Sequence, residues 1–184
     1  AALVTTLRGT SFIYQGEELG LTEADIPFEL LQDPFGIFLW PEDKGRDGCR
    51  TPFPWDGQKA NAGFSDAATT WLPVPIEHLA KAAAQQEADG HSPLHFVRGF
   101  LKWRKAHGAL VTGGIKFFDT PDGTLGFVRS HDSGDILCCF NLGNAPATLD
   151  LPMASTPMDG HGMHSALDGR KLTLPAFGGY FGRV

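Results

Sequence analysis

The apolar and polar positions of this 184-residue chain fall into stretches of different period, and the period changes mark out its elements. Ala1 to Leu7 reads as the tail of a helix already under way. Gly9, Thr10 and Ser11 then lead into Phe12, Ile13 and Tyr14, a β-favouring run with no polar partner face, the pattern of a parallel strand buried on both sides. At its carboxyl end Gln15, Gly16, Glu17 and Glu18 introduce charge and hydrogen-bonding groups, where α/β sheets and barrels hold ligands.

From Gly16 to about Pro75 neither the helical period nor clean alternation persists, which predicts one very long loop. Loops beyond about 12 to 15 residues inside a compact domain are usually functional. This one carries Phe28, Phe35, Phe38, Trp40, Phe53, Trp55, Phe64 and Trp71. Aromatic faces of this kind plug a loop onto its scaffold or stack on sugar rings, and plugging is the plainer reading for most of them. Glu77 to Glu87 is alanine-rich, with Leu79 its single large apolar residue, and predicts a weakly anchored short helix.

Ser92 as cap, Pro93 in the first turn and Gly108 as stop predict a helix running to about His107. Leu94, Val97 and Leu101, flanked by Phe96, Phe100 and Trp103, give it a broad apolar face, with His95, Arg98, Lys102 and Lys105 outside. After Gly114 the period becomes alternating, and Gly, Asp and Asn turn signals recur, so a domain boundary belongs near residue 112. Strands are expected near 115–118, 124–130, 135–140, 148–151, 171–174 and 178–183, forming a small antiparallel sandwich or Greek key.

Composition narrows the classes. A formal charge of -6 gives no electrostatic reason to expect nucleic acid or an anionic membrane, and it suits a neutral ligand. No apolar run approaches the ~18 residues of a membrane span, and the first residues lack a signal peptide's charged start, while the compartment stays open. The three cysteines are an odd number, and Cys138 and Cys139 are neighbours on one strand, which argues against a disulfide framework. His78, His91, His95, His107, His161 and His164 show no ligand spacing, so neither a metal nor another cofactor is expected, and most of these histidines read as surface or loop residues. Cys49 as a catalytic thiol lacks a recognisable histidine partner nearby.

The second informative stretch is Arg46-Asp47-Gly48-Cys49-Arg50-Thr51-Pro52. Two guanidiniums beside a carboxylate serve equally as a salt-bridge network pinning the loop or as forked donors to a ligand's hydroxyls. Gly9 to Gly20, then Gly45 to Asp56, then Asn61-Ala62-Gly63-Phe64 together resemble, in order and spacing, the α-glucosidases and oligo-1,6-glucosidases of glycoside hydrolase family 13.

That resemblance implies an α/β fold class: the C-terminal part of a (β/α)8 TIM barrel with a long active-site loop over residues 1–112, followed by a small all-β antiparallel sandwich domain over 113–184. Gly9 to Tyr14 would be the eighth strand and Pro93 to His107 the eighth helix. By motif position Arg50 would hold the non-reducing glucose together with an aspartate from an earlier loop. Arg46 and Asp47 would shape the same loop, and Glu17 or Glu18 would border the pocket. Ser11 departs from the proline usual there, with little consequence for an extended strand.

Family members are retaining enzymes whose aspartate nucleophile, glutamate acid/base and second aspartate lie on strands four, five and seven, so the resemblance implies that these precede this chain and that it lacks catalytic residues of its own. Retaining chemistry needs two carboxyls about 5 Å apart. Neighbouring Glu17 and Glu18 on an extended backbone point apart and cannot be that pair. Gly126 to Asp132 superficially matches the nucleophile strand, but it follows the eighth helix and runs into a hairpin, so Asp132 reads as a turn residue. The expected partners are a short α-glucoside, bound for hydrolysis or glucosyl transfer, and the missing N-terminal barrel segment. The alternative is a non-catalytic sugar-binding or interaction module built on the β domain.

Overall fold

Helices form where local signals are strong and stay short elsewhere. In the structure, a computed structural model that describes every residue from Ala1 to Val184, they are α1 (Ala2–Thr6), α2 (Pro34–Leu39), α3 (Ile76–Leu79), α4 (Ala83–Glu87), α5 (Pro93–Lys105) and α6 (Gly108–Thr112). The strands are β1 (Gly114–Phe118), β2 (Thr124–Ser130), β3 (Ile136–Asn141), β4 (Ala147–Asp150), β5 (Thr156–Pro157), β6 (Ala166–Asp168), β7 (Lys171–Leu174) and β8 (Gly179–Arg183). The chain divides into two compact units, residues 1–12 with 97–184, and residues 13–96.

The first unit is built on two antiparallel sheets, ordered β1-β2-β3-β8-β5 and β4-β7-β6. Alternation along β3 and β8 sends Leu137, Cys139 and Tyr180 toward Leu149, Leu151, Leu172 and Leu174, which close the layer between the sheets. Each such leucine stabilises the fold by about 1.5 to 3 kcal/mol through burial. The opposite face of the larger sheet is covered as well. Phe181 packs its ring 5.6 Å from Phe100 and 5.0 Å from Trp103 of α5, and 5.6 Å from Phe140. Covered on both faces, β3 is buried at every position and reads as an unbroken apolar run, Ile-Leu-Cys-Cys-Phe, rather than as alternation.

Arg129 of β2 is fully buried in this unit and finds no carboxylate. Its guanidinium is satisfied by backbone carbonyls alone: Nε donates to Gly114 at 3.0 Å, Nη2 to Gly113 at 2.9 Å, and Nη1 to Thr6 and, at 3.4 Å, to Leu110. The side chain thereby joins the last turn of α1 and the end of α6 to the sheet. The segment that superficially matched a nucleophile strand is a hairpin strand with a structural arginine, and Asp132 lies in the turn after it.

Six of the eight strands match those expected from the sequence; β5 and β6 do not, because two and three residues carry too short a pattern. Gly108, read as a stop, instead opens α6, with Gly113 NH bonded to the Ala109 carbonyl at 3.1 Å. The buried parallel strand expected at Phe12 to Tyr14 is not formed. These residues are extended and belong to neither sheet, and Phe12 is 83% exposed. A parallel strand needs hydrogen-bonded neighbours on its edges, and none of the eight strands of this chain pairs with it.

The second unit has no sheet. It is a loop folded on itself through single-turn 3-10 segments, α2 to α4 and the start of α5, around Ala24, Ile26, Leu31 and Leu72 with Trp40 against them. Gln86 acts as its internal clip: Nε2 donates to the carbonyls of Leu19 at 2.7 Å and Lys81 at 2.8 Å, and Oε1 accepts from Leu94 NH at 3.0 Å. Ser92 Oγ accepts from His95 NH at 3.4 Å, so the N-terminus of α5 is capped as its sequence requires.

Candidate active-site wall

The two informative stretches of sequence meet in the second unit. Tyr14, Glu17, Cys49, Thr51, Phe53 and His78 line one cavity of about 190 Å3. Gly16 makes the sharp turn after the extended segment at φ 95°, where Glu17 NH donates to the Tyr14 carbonyl at 3.1 Å. Glu18 turns back, its Oε2 accepting from Gly16 NH at 2.8 Å, and so holds the turn. Glu17 is exposed at the cavity.

Gly48 fixes how the arginine motif sits. Ala24 NH donates to the Gly48 carbonyl at 3.0 Å, and a Cβ at position 48 would lie 2.3 Å from the Ala24 carbonyl oxygen, so no other residue fits this approach. Behind it Asp47 is fully buried and accepts from the Gln32 and Asp33 NH groups at 2.6 and 2.7 Å and from Arg50 Nη2 at 2.7 Å. Asp33 caps α2 by accepting from Phe35 NH at 3.1 Å, and takes Arg46 NH at 2.9 Å and the same Arg50 Nη2 at 3.0 Å.

Arg50 is therefore gripped along one edge by two carboxylates, while its Nε reaches the Arg46 carbonyl at 3.3 Å and Nη1 stays uncommitted. Its guanidinium lies 5.8 Å over the Trp71 ring. Arg46 is different: its side chain is 76% exposed and sits 3.6 Å from Asp33, too loose to add much order. The salt-bridge reading of this motif thus describes the Asp33–Asp47–Arg50 cluster as built.

The backbone NH groups of Arg46 and Phe35 hold the Asp33 carboxyl below its ordinary range, with the charges of Arg50 and Arg46 assisting against desolvation. Both of its oxygens are taken by Phe35 NH, Arg46 NH and Arg50, so Asp33 serves as an anchor for the arginine.

Asp33 escaped the sequence reading, although Asp33-Pro34 is the signature of a helix N-terminus and would have located α2. His78 was read as a surface or loop residue and is instead 2% exposed. Its Nε2 donates to the Thr22 carbonyl at 2.9 Å, and the remaining Nδ1 lone pair is buried without a partner in the wall of the cavity. His161 is likewise buried. Burial pushes the Cys139 thiol up to about 12, which makes it an inert core group, and Cys49 is an exposed free thiol.

Residues 1–113 match the model of the alpha amylase catalytic domain. The chain is 48% identical over 185 residues to a probable alpha-glucosidase of Rhizobium meliloti, covering 100% of this chain and 33% of that protein. It is 32% identical over 153 residues to Maltase A1 of Drosophila melanogaster, covering 81% of this chain and 26% of that one. Among solved structures it superposes on the alpha-glucosyl transfer enzyme XgtA with a TM-score of 0.95 at 45% identity, over 99% of this chain and 34% of the other. It also superposes on the trehalulose synthase MutB from Pseudomonas mesoacidophila with a TM-score of 0.84 at 26% identity, over 99% and 37%. The chain thus spans about a quarter to a third of the length of the curated relatives it matches. By these matches it belongs to the alpha-amylase family, glycoside hydrolase family 13, and has the fold of the C-terminal part of that family's (β/α)8 enzymes with the β-sandwich that follows.

Proposed function

We propose that this chain forms one wall of the glucose pocket in a retaining α-glucosidase that hydrolyses short α-glucosides or transfers their glucosyl unit to an acceptor hydroxyl. Residues 1–112 contribute the last βα unit and its long loop, and residues 113–184 the C-terminal domain. The catalytic aspartate, glutamate and second aspartate belong to a preceding barrel segment. The observation that carries this reading is the half-loaded guanidinium of Arg50: two carboxylates fix its Nη2 edge, and Nη1 remains for a sugar hydroxyl. Charge-assisted bonds from so rigid a donor orient a neutral ligand without a net charge of its own. Glu17, exposed at the cavity while Glu18 holds the turn, is the acid that borders the pocket, and Arg46 supports the loop from its rim.

The exposed run Phe12 to Tyr14 supports completion by further strands and weighs against a free-standing sugar-binding module, which would have no use for an unpaired apolar segment. The deciding experiment assays the natural gene product carrying these residues on methyl α-glucoside and an aryl α-glucoside, whose leaving groups are not glucose, and follows by proton NMR the anomer released ahead of mutarotation. Release of α-glucose from either glucoside supports the proposal. Release of β-glucose or the absence of turnover contradicts it.

A further inference from the structure

Outside the cavity at Tyr14 and Cys49, the second unit carries an open groove of about 600 Å3 lined by Trp71, Gln32, Asn61, Thr69 and Ile76, with Lys59 at its edge. Its chemistry is selective. No aspartate or glutamate lines it, and its single cation, Lys59, lies 3.9 Å from Asp56, so the groove has little to offer an ion. What it offers is an indole 63% exposed, an isoleucine 82% exposed, and neutral hydrogen-bonding groups.

Those neutral groups are held in place. Asn61 Nδ2 donates to the carbonyls of Ser65 at 3.0 Å and Ala67 at 2.7 Å, which fixes the amide and leaves Oδ1 as an acceptor. Asn61 and Ala62 take the left-handed conformation at φ 49° and 53°, costly for residues with a Cβ. The Ala62 carbonyl accepts from both Trp55 and Asp56 NH at 2.9 Å, which locks that conformation under the groove. An apolar ring face, fixed neutral donors and acceptors, and no unpaired charge match a pyranose ring, whose C–H face is apolar and whose rim is hydroxyl.

We infer that this groove binds the third sugar ring of a longer substrate by stacking it on Trp71. Position supports the assignment: Trp71, which lines the groove, also lies against Arg50, its ring centre 5.8 Å from the guanidinium carbon. The inference rests on the glucosidase reading and adds chain-length preference to it.

The test compares Trp71→Ala and Trp71→Phe with wild type in the natural gene product, using maltose and maltotriose. Losing one well-packed apolar contact weakens binding roughly tenfold. Trp71→Ala should therefore raise KM about tenfold more for maltotriose than for maltose, and Trp71→Phe should largely remove that difference. Equal losses on both sugars would show that Trp71 acts only through Arg50 and would overturn the inference, as would no change on either. If wild type turns over neither sugar, the glucosidase reading fails by itself. Calorimetric titration with maltotriose then decides the groove: binding lost in Trp71→Ala upholds it, and the absence of binding overturns it.

Discussion

Arg129→Met asks whether the fully buried arginine of β2 is a structural tether. Methionine keeps most of the apolar stem, so the change falls on hydrogen bonding. Nε and Nη2 donate at 3.0 and 2.9 Å to Gly114 and Gly113, and Nη1 serves Thr6, with Leu110 more distant at 3.4 Å. Three bonds from a charged donor, at about 1.5 kcal/mol each, come to about 4.5 kcal/mol. Removing the cost of burying a guanidinium without a counter-ion returns part of this, leaving a net loss of about 3 kcal/mol. With a urea dependence of about 2 kcal/mol per molar, the unfolding midpoint should fall by about 1.5 M. The assay is urea unfolding followed by Trp103 fluorescence, which reports the ring cluster of the same unit. Arg129→Lys should lose nearly as much, since one ammonium cannot reach carbonyls arranged for a fork. A midpoint within about 0.5 M of wild type for both variants would refute the tether.

Two further outcomes follow from local geometry. His161 is buried with its Nδ1 accepting from Met163 NH at 3.1 Å, and burial holds its pKa below the ordinary value. The unfolded chain therefore takes up the proton first as pH falls below about 6.5, so stability is full above that value and is lost as pH drops through the folded pKa. The melting temperature should decline between pH 7.5 and 5, and His161→Gln should flatten that decline; an unchanged slope in the variant would assign the effect elsewhere. Gly48→Ala places a Cβ 2.3 Å from the Ala24 carbonyl and should cost about 2 to 3 kcal/mol in the stability of the second unit, read by hydrogen exchange at Ala24 NH. Protection unchanged there would contradict the close approach.

How much of this was legible in the sequence depends on whether each signal is local. The Ser92-Pro93 start of α5 and the alternation of β2 and β7 are local, and the structure has them where they were read. The motif around Arg50 was legible as chemistry, but its clamp was not, because Asp33 lies 17 residues away and meets Arg50 only through the fold. Phe12 to Tyr14 shows the opposite limit. Its composition is that of a buried strand, yet strand formation depends on neighbours, and this chain's sheets supply none. His78 and His161 looked like loop residues because a lone histidine carries no periodic signal of burial.

The most direct measurement is kcat/KM of the natural gene product on a synthetic aryl α-glucoside, for wild type against Arg50→Ala, with the circular dichroism of both recorded. Loss of a fixed, charge-assisted donor to the sugar costs about 3 kcal/mol, so the variant should fall by about 10²-fold with its spectrum unchanged. A wild type without turnover, or an Arg50→Ala variant that retains wild-type kcat/KM, would contradict the assignment of this chain as a wall of the glucose pocket.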